Sequence, residues 1–299
     1  MSGLSGNTPR ESSWRRLDWN GIGFEVPAGW QIGLIETRYL LLENEGVPVV
    51  EVKWNRIRGR FSPRRMLRRI SAGQPPGVRK SIRVQSPPAS WSRALEGRQV
   101  TGFTWQTAGN QGQGVLLFCP DCATATLIQF LGPQPDPDLP LRLLKSFRDH
   151  FSRKGIPLSV YDIAALIPPE FQIKTHRFDS GLFELHYTGP GRSGLSLFRW
   201  APAAVLLQQR ALADFFVEQL QLDPRNIIKK SERTLEAISE PARSGPLGWV
   251  GNLRRRPNHV RVRLWHLPEH NRILAVRLEG VRPTEPELFE RICNHYGVV

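Results

Sequence analysis

Two periods organise the apolar positions of this chain. Extended runs with alternating or short continuous apolar character lie at Leu40–Glu43, in the stretch ending at Trp54, at Val115–Phe118 and at Leu127–Phe130. They return at Phe183–Tyr187, in the stretch ending at Trp200, at Val260–Trp265 and at Ile273–Leu278. A period of two is the mark of a strand with one buried face. Between these runs the spacing changes to three and four: Met66, Leu67 and Ile70; Val205 to Leu220; Leu141, Leu143, Leu144 and Phe147; and Leu288, Phe289 and Ile292. That spacing gathers apolar side chains on one helical face. Pro63 and Pro202 stand at the start of two of these helices, where a missing N–H has no partner to lose.

The pattern also reads twice. Val26-Pro27-Ala28-Gly29-Trp30-Gln31-Ile32 returns as Ile167-Pro168-Pro169-Glu170-Phe171-Gln172-Ile173, and Leu40-Leu41-Leu42-Glu43 has a counterpart at Gly181-Leu182-Phe183-Glu184. In each copy a late pair of strands flanks a Pro-containing connection, Cys119-Pro120-Asp121-Cys122 in the first and His266-Leu267-Pro268-Glu269-His270 in the second. Both connections read as β-hairpin turns. The order per copy is strand-rich, helix, strand-rich, helix, which predicts an α+β fold of two similar domains, each an antiparallel sheet flanked by helices with its core on one face. Residues 1–16 read as a disordered leader, 17–151 as the first repeat and 157–299 as the second, with the boundary near Ser152–Pro157.

Phe24-x-Val26-Pro27-x-Gly29-Trp30 near the start and Leu143-Leu144-Lys145-Ser146-Phe147-Arg148 at the end of the first copy resemble the PsbP-like group, which includes Ran-binding relatives and DcrB-like proteins. In the second copy Phe171 stands in place of the Trp, and Ile292-Cys293-Asn294-His295 in place of the Ser-Phe-Arg. The resemblance implies a tandem of sheets sandwiched between helices, and binding or accessory activity through protein–protein contacts. It carries no catalytic residue across.

Composition narrows the field. Of 299 residues 40% are hydrophobic and 23% charged, as in a folded globular protein. No apolar run reaches the roughly 18 residues of a spanning helix, no secretory signal pattern opens the chain, and three cysteines are too few for a disulfide framework. These features predict a cytoplasmic protein.

Motifs that carry chemistry are sparse. Cys119-Pro120-Asp121-Cys122 has the C-x-x-C spacing of a zinc knuckle; His266 and His270, on the equivalent hairpin of the second copy, are the candidates to complete a Cys2His2 site. The residues after the motif, Ala123 to Ile128, read as strand, which removes the helix N-terminus that a thioredoxin-type cysteine needs. Gly189-Pro190-Gly191-Arg192-Ser193-Gly194 matches G-x-G-x-x-G, but strands flank it on both sides, so it reads as a hairpin loop and not a dinucleotide fingerprint. No G-x-S-x-G, P-loop or H-E-x-x-H occurs. No catalytic residue and no cofactor other than zinc is predicted, and the expected role is non-enzymatic binding.

The charge sharpens that role. Formal net charge is +14, and Val52–Leu95 contains no Asp or Glu while holding twelve Lys and Arg. On the predicted helix, Arg64/Arg68 and Arg65/Arg69 are like-charged i,i+4 pairs. Each costs an isolated helix about 0.2–0.5 kcal/mol. A second patch joins Arg254, Arg255 and Arg256 to a strand on which Arg261, Arg263 and Trp265 share a face. Both patches are candidate anion-binding surfaces, and they make a nucleic acid the alternative to a protein partner.

Overall fold

A computed structural model describes residues 13–72, 81–107, 109–132, 136, 138–151, 154–240 and 259–299. Arg254, Arg255 and Arg256 lie outside the described residues, as do the first twelve residues of the expected leader. The chain divides into two compact units, Met1–Phe151 with Ser159–Tyr161, and Ser152–Leu158 with Asp162–Val299.

In the first unit the elements run as β1 (Trp14–Trp19), β2 (Ile22–Pro27), β3 (Gln31–Glu36), β4 (Tyr39–Asn44), β5 (Val47–Arg56), α1 (Pro63–Ala72), β6 (Ser81–Gln85), α2 (Ala89–Ala94), β7 (Gln99–Gln106), β8 (Gln111–Cys119), β9 (Thr124–Leu131) and α3 (Asp138–Ser146). Strand β10 (Ile156–Val160) comes next, and its Ser159 pairs with Asp18 of β1. Seven of these strands form one antiparallel sheet in the order β3-β4-β5-β9-β8-β7-β6. Of the residues 1–16 expected as a leader, Trp14 to Arg16 belong to β1. Its residues are drawn into the strand by six paired positions on β2 and by Arg142 stacked 4.1 Å over the Trp14 ring.

Both faces of the seven-stranded sheet are covered. Leu67 of α1 clusters with Phe103, Trp105, Leu116 and Leu127. Ile128 and Phe130, one residue out of phase on β9, point the other way, and Phe130 meets Trp91 of α2 at 5.5 Å. Glycine makes the first of these faces possible. A Cβ on Gly112 would stand 2.7 Å from the Trp105 ring, and one on Gly114 would stand 2.3 Å from the Ile128 carbonyl oxygen and 2.8 Å from the Phe103 ring. The two aromatic rings of β7 lie over bare backbone of β8.

The second unit carries β11 (Ile163–Ile167), β12 (Gln172–Phe178), β13 (Leu182–Thr188), β14 (Gly194–Trp200), α4 (Ala203–Leu206), α5 (Leu212–Leu220), β15 (Ile227–Lys230), β16 (Thr234–Ser239), β17 (His259–Leu267), β18 (Arg272–Gly280), α6 (Pro286–Asn294) and β19 (Gly297–Val298). Its seven-stranded sheet runs β12-β13-β14-β18-β17-β16-β15. Taken in chain order, this is the same strand order as in the first unit. The repeated Pro motifs also make the same turn: the Trp30 amide donates to the Pro27 carbonyl, and the Phe171 amide to the Pro168 carbonyl, both at 3.0 Å. Phe215, Phe216 and Leu220 of α5 pack with Val262, Leu264, Ile273 and Ala275 on one face.

The expected α+β class needs correction. The described chain is mostly β, with 50% of residues in strands and 21% in helices, and antiparallel sheets dominate it. The 3.6-residue periodicities do mark helices, but these are short, four to ten residues each. The stretch from Ala203 to Leu220 is two helices, α4 and α5, parted at the polar Gln208-Gln209-Arg210 segment. The expected one-sided core is also replaced. Covering both faces of a sheet permits continuous apolar runs such as Val115-Leu116-Leu117, all buried, which alternation alone does not describe.

Candidate functional site

Three groups of residues carry chemistry. On α1, Met66 and Leu67 turn toward the sheet, so Arg64, Arg65, Arg68 and Arg69 fall on the opposite, exposed face. Among the described residues none of the four makes an ion pair, and the first turn of α1 holds no acid. The basic character extends beyond the helix to exposed Arg56, Arg58, Arg60 and Arg83. Arg60 and Arg64 line a cleft of about 560 Å³ floored by Phe61, Pro63, Val84 and Thr101. Phe61 is held there by a stacked contact of 4.5 Å with Phe118.

Arg261 and Arg263 have a different environment. Alternation along β17 does put them on one face with Trp265, but α6 covers that face. Phe289 lies 4.6 Å from the Arg261 guanidinium, and Glu290 accepts from Arg263 Nη1 at 2.8 Å. Glu236, directly across on β16, is buried and accepts from Arg261 Nε at 2.8 Å and from Arg263 Nη2 at 2.7 Å. Hydrogen bonding from Arg263 in turn holds the Glu290 carboxyl below the usual carboxylate range. The guanidiniums of Arg261 and Arg263 thus face two carboxylates of their own unit.

The third group centres on the Cys119–Cys122 turn. Cys119 ends β8 and Thr124 opens β9, so the turn holds both thiols at one corner of the first unit's sheet. After α3 the chain returns across that corner and places Asp149 and His150 there. Potential ligand atoms of Cys119, Cys122, Asp149 and His150 all lie within 4.8 Å of one another. Cys119 Sγ is 2.8 Å from His150 Nε2, and that nitrogen is 3.7 Å from Asp149 Oδ1. Burial pushes the Cys119 thiol up, while the backbone amides of Cys122 and Asp121 donate toward its sulfur and act the other way. Arg98 grips Asp149 through Nη2 at 2.6 Å and Nε at 3.2 Å, and lies over the Phe147 ring at 5.4 Å.

This group does not contain His266 or His270, the histidines expected from sequence. His266 lines a separate cleft of about 400 Å³ in the second unit with Lys229, Arg233 and Cys293. Burial there lowers its pKa, with Arg233 acting in the same direction. His270 sits in the β17–β18 turn and lends its carbonyl to Arg272. His150 escapes sequence reasoning because 31 positions separate it from Cys119 and no spacing rule links them. The available signal is its place just after a helix that must fold back on its own sheet.

The Gly189–Gly194 segment forms a hairpin loop between β13 and β14, with Gly191 at φ +62°. It borders a cleft of about 800 Å³, where Phe171, Leu278 and Leu288 meet Arg192 and Glu279. No helix of the described residues is long and apolar enough to cross a membrane.

No family model matches the chain. No curated protein matches it either. A solved structure of a point mutant of the protein Mog1 aligns at 11% identity over 48% of this chain and 95% of its own, with a TM-score of 0.31. The PsbP-like resemblance thus rests on its short motifs.

Proposed function

We propose that this chain acts by binding and not by catalysis, and that the partner of its first unit is a nucleic acid. The observation that carries the reading is the face of α1: four exposed arginines, none ion-paired among the described residues, on a helix without an acid in its first turn. Guanidiniums in this state exchange water and counterions for phosphate oxygens at little desolvation cost. The neighbouring Arg60 and Arg83 widen the positive surface, and the Phe61 cleft sets an aromatic ring beside it. The architecture is read as a tandem of two related domains. The shared strand order and the matched Pro27 and Pro168 turns support that reading.

The test is a titration of the full chain with labelled single- and double-stranded DNA of equal length across a salt series. Log affinity should fall linearly with log salt. Replacing Arg64, Arg65, Arg68 and Arg69 by Gln should make the duplex slope shallower by up to about 3.6, at roughly 0.9 per phosphate contact. Affinity that is absent, or indifferent to salt, overturns the proposal. A slope unchanged by the fourfold variant moves the binding surface away from α1 and overturns the assignment.

A further inference from the structure

We propose that Cys119, Cys122 and His150, with Asp149 as the fourth donor, form a binding site for a thiophilic divalent cation of the zinc class. The four side chains offer two sulfurs, one imidazole nitrogen and one carboxylate oxygen, a donor set suited to zinc. Their ligand atoms already converge within 4.8 Å. Zinc–sulfur bonds of about 2.3 Å and zinc–nitrogen bonds of about 2.0 Å place tetrahedral ligand atoms roughly 3.5–3.8 Å apart. The 3.7 Å between His150 Nε2 and Asp149 Oδ1 is a few tenths of an ångström longer than the roughly 3.3 Å that two metal bonds of about 2.0 Å give a nitrogen–oxygen pair, so that pair closes slightly on an ion. The 2.8 Å between Cys119 Sγ and His150 Nε2 is a hydrogen-bond distance, and the pair must part by less than about 1 Å to admit an ion. His150 is exposed and free to swing by that amount, whereas Cys119 and Asp149 are buried and fixed.

Two details prepare the corner for a metal. The Asp121 and Cys122 amides aimed at the Cys119 sulfur are donors that stabilise a metal-bound thiolate. Arg98 orients Asp149 and balances its charge. With two thiolates, one carboxylate, Arg98 and a divalent ion, the charges at the corner sum to zero, which removes the main cost of placing an ion beside buried groups. All four donors come from the first unit, so the site needs nothing from His266 or His270. It is independent of the nucleic-acid reading, and either can fail alone.

Cobalt(II) added alone to the reduced full chain under anaerobic conditions tests the site. A thiolate-to-cobalt charge-transfer band should saturate at one ion per chain and bleach on addition of zinc(II). Cys119→Ser and Cys122→Ser should abolish saturation. His150→Ala should weaken binding at least about tenfold, Asp149→Asn should weaken it while keeping the thiolate band, and His266→Ala and His270→Ala should change nothing. Far-UV circular dichroism identifies variants that stay folded. Absence of the band in the reduced wild-type chain overturns the proposal. So does a band unchanged in folded Cys122→Ser or His150→Ala protein.

Discussion

Replacing Glu236 by Gln tests whether the second unit depends on an internally closed charge network. Glu236 is 3% exposed and engages both Arg261 and Arg263 at 2.7 Å. The substitution keeps shape and one acceptor oxygen but leaves two guanidiniums, each 15% exposed, facing only Glu290, which is 42% exposed. Breaking a buried pair from one side costs about 3–5 kcal/mol. Because Glu290 remains and the arginines keep some solvent, a value of about 3 kcal/mol is expected, roughly a hundredfold in the opening equilibrium. Glu290→Gln, by contrast, removes a half-exposed partner and should cost no more than about 1 kcal/mol. A third variant, Glu236→Leu with Arg261→Met and Arg263→Met, leaves only Glu290 without its partners, 42% exposed and open to water, and should recover most of the loss, since no buried charge is left unpaired. Urea unfolding monitored by far-UV circular dichroism measures the totals, and hydrogen exchange of β16 and β17 peptides localises them. Equal costs for Glu236→Gln and Glu290→Gln, or a triple variant less stable than the single one, would refute this account of the face.

Other expectations are more direct. Burial pushes the Asp162 carboxyl up, but hydrogen bonds from Arg199 and Arg272 outweigh it and hold the group below its ordinary range. A depressed carboxylate stabilises the fold above the unfolded value of about 3.9 and loses that contribution as pH falls through the folded one. The stability gap between wild type and Asp162→Asn should therefore be constant at neutral pH and close under acid, as read from urea midpoints between about pH 6 and pH 2. Gly114→Ala should destabilise the first unit by about 1–3 kcal/mol in thermal melts, because its Cβ would stand 2.3 Å from the Ile128 carbonyl oxygen. The fourfold Arg→Gln variant of α1 should gain up to about 1 kcal/mol of stability from relief of two like-charge pairs while losing DNA affinity. Loss of both would point to a packing role for the helix.

Local physics was legible in the sequence and tertiary coverage was not. Pro63, the Met66–Leu67 pair and the Cys119–Cys122 turn all depend on neighbours within a few positions, and each marks its element. The β17 alternation also places Arg261 and Arg263 on one face. It is silent on what lies over that face, because Glu236 comes from the strand across and Glu290 from a helix nearly thirty positions away. The same limit applies to His150. Its meeting with Cys119 depends on the path of the chain after α3, which no spacing encodes. The fold class is misread from sequence for a related reason. Short helices read from periodicity take weight from strands such as β3 and β12, whose exposed and half-buried positions carry little apolar signal.

The strands that end the two sheets bear on how the protein behaves in a crowded solution. β6 and β15 hold corresponding last places in their sheets, and each sets an exposed aliphatic beside cations: Val84 next to Arg83, and Ile228 next to Lys229 and Lys230. A sheet edge of this kind invites pairing with a second copy, and like charges along it oppose that. Positive charge then has a second task, keeping molecules apart. A polyanion that neutralises these edges at near-stoichiometric ratios should bring copies together, and excess polyanion, by restoring a net charge of the opposite sign, should disperse them again.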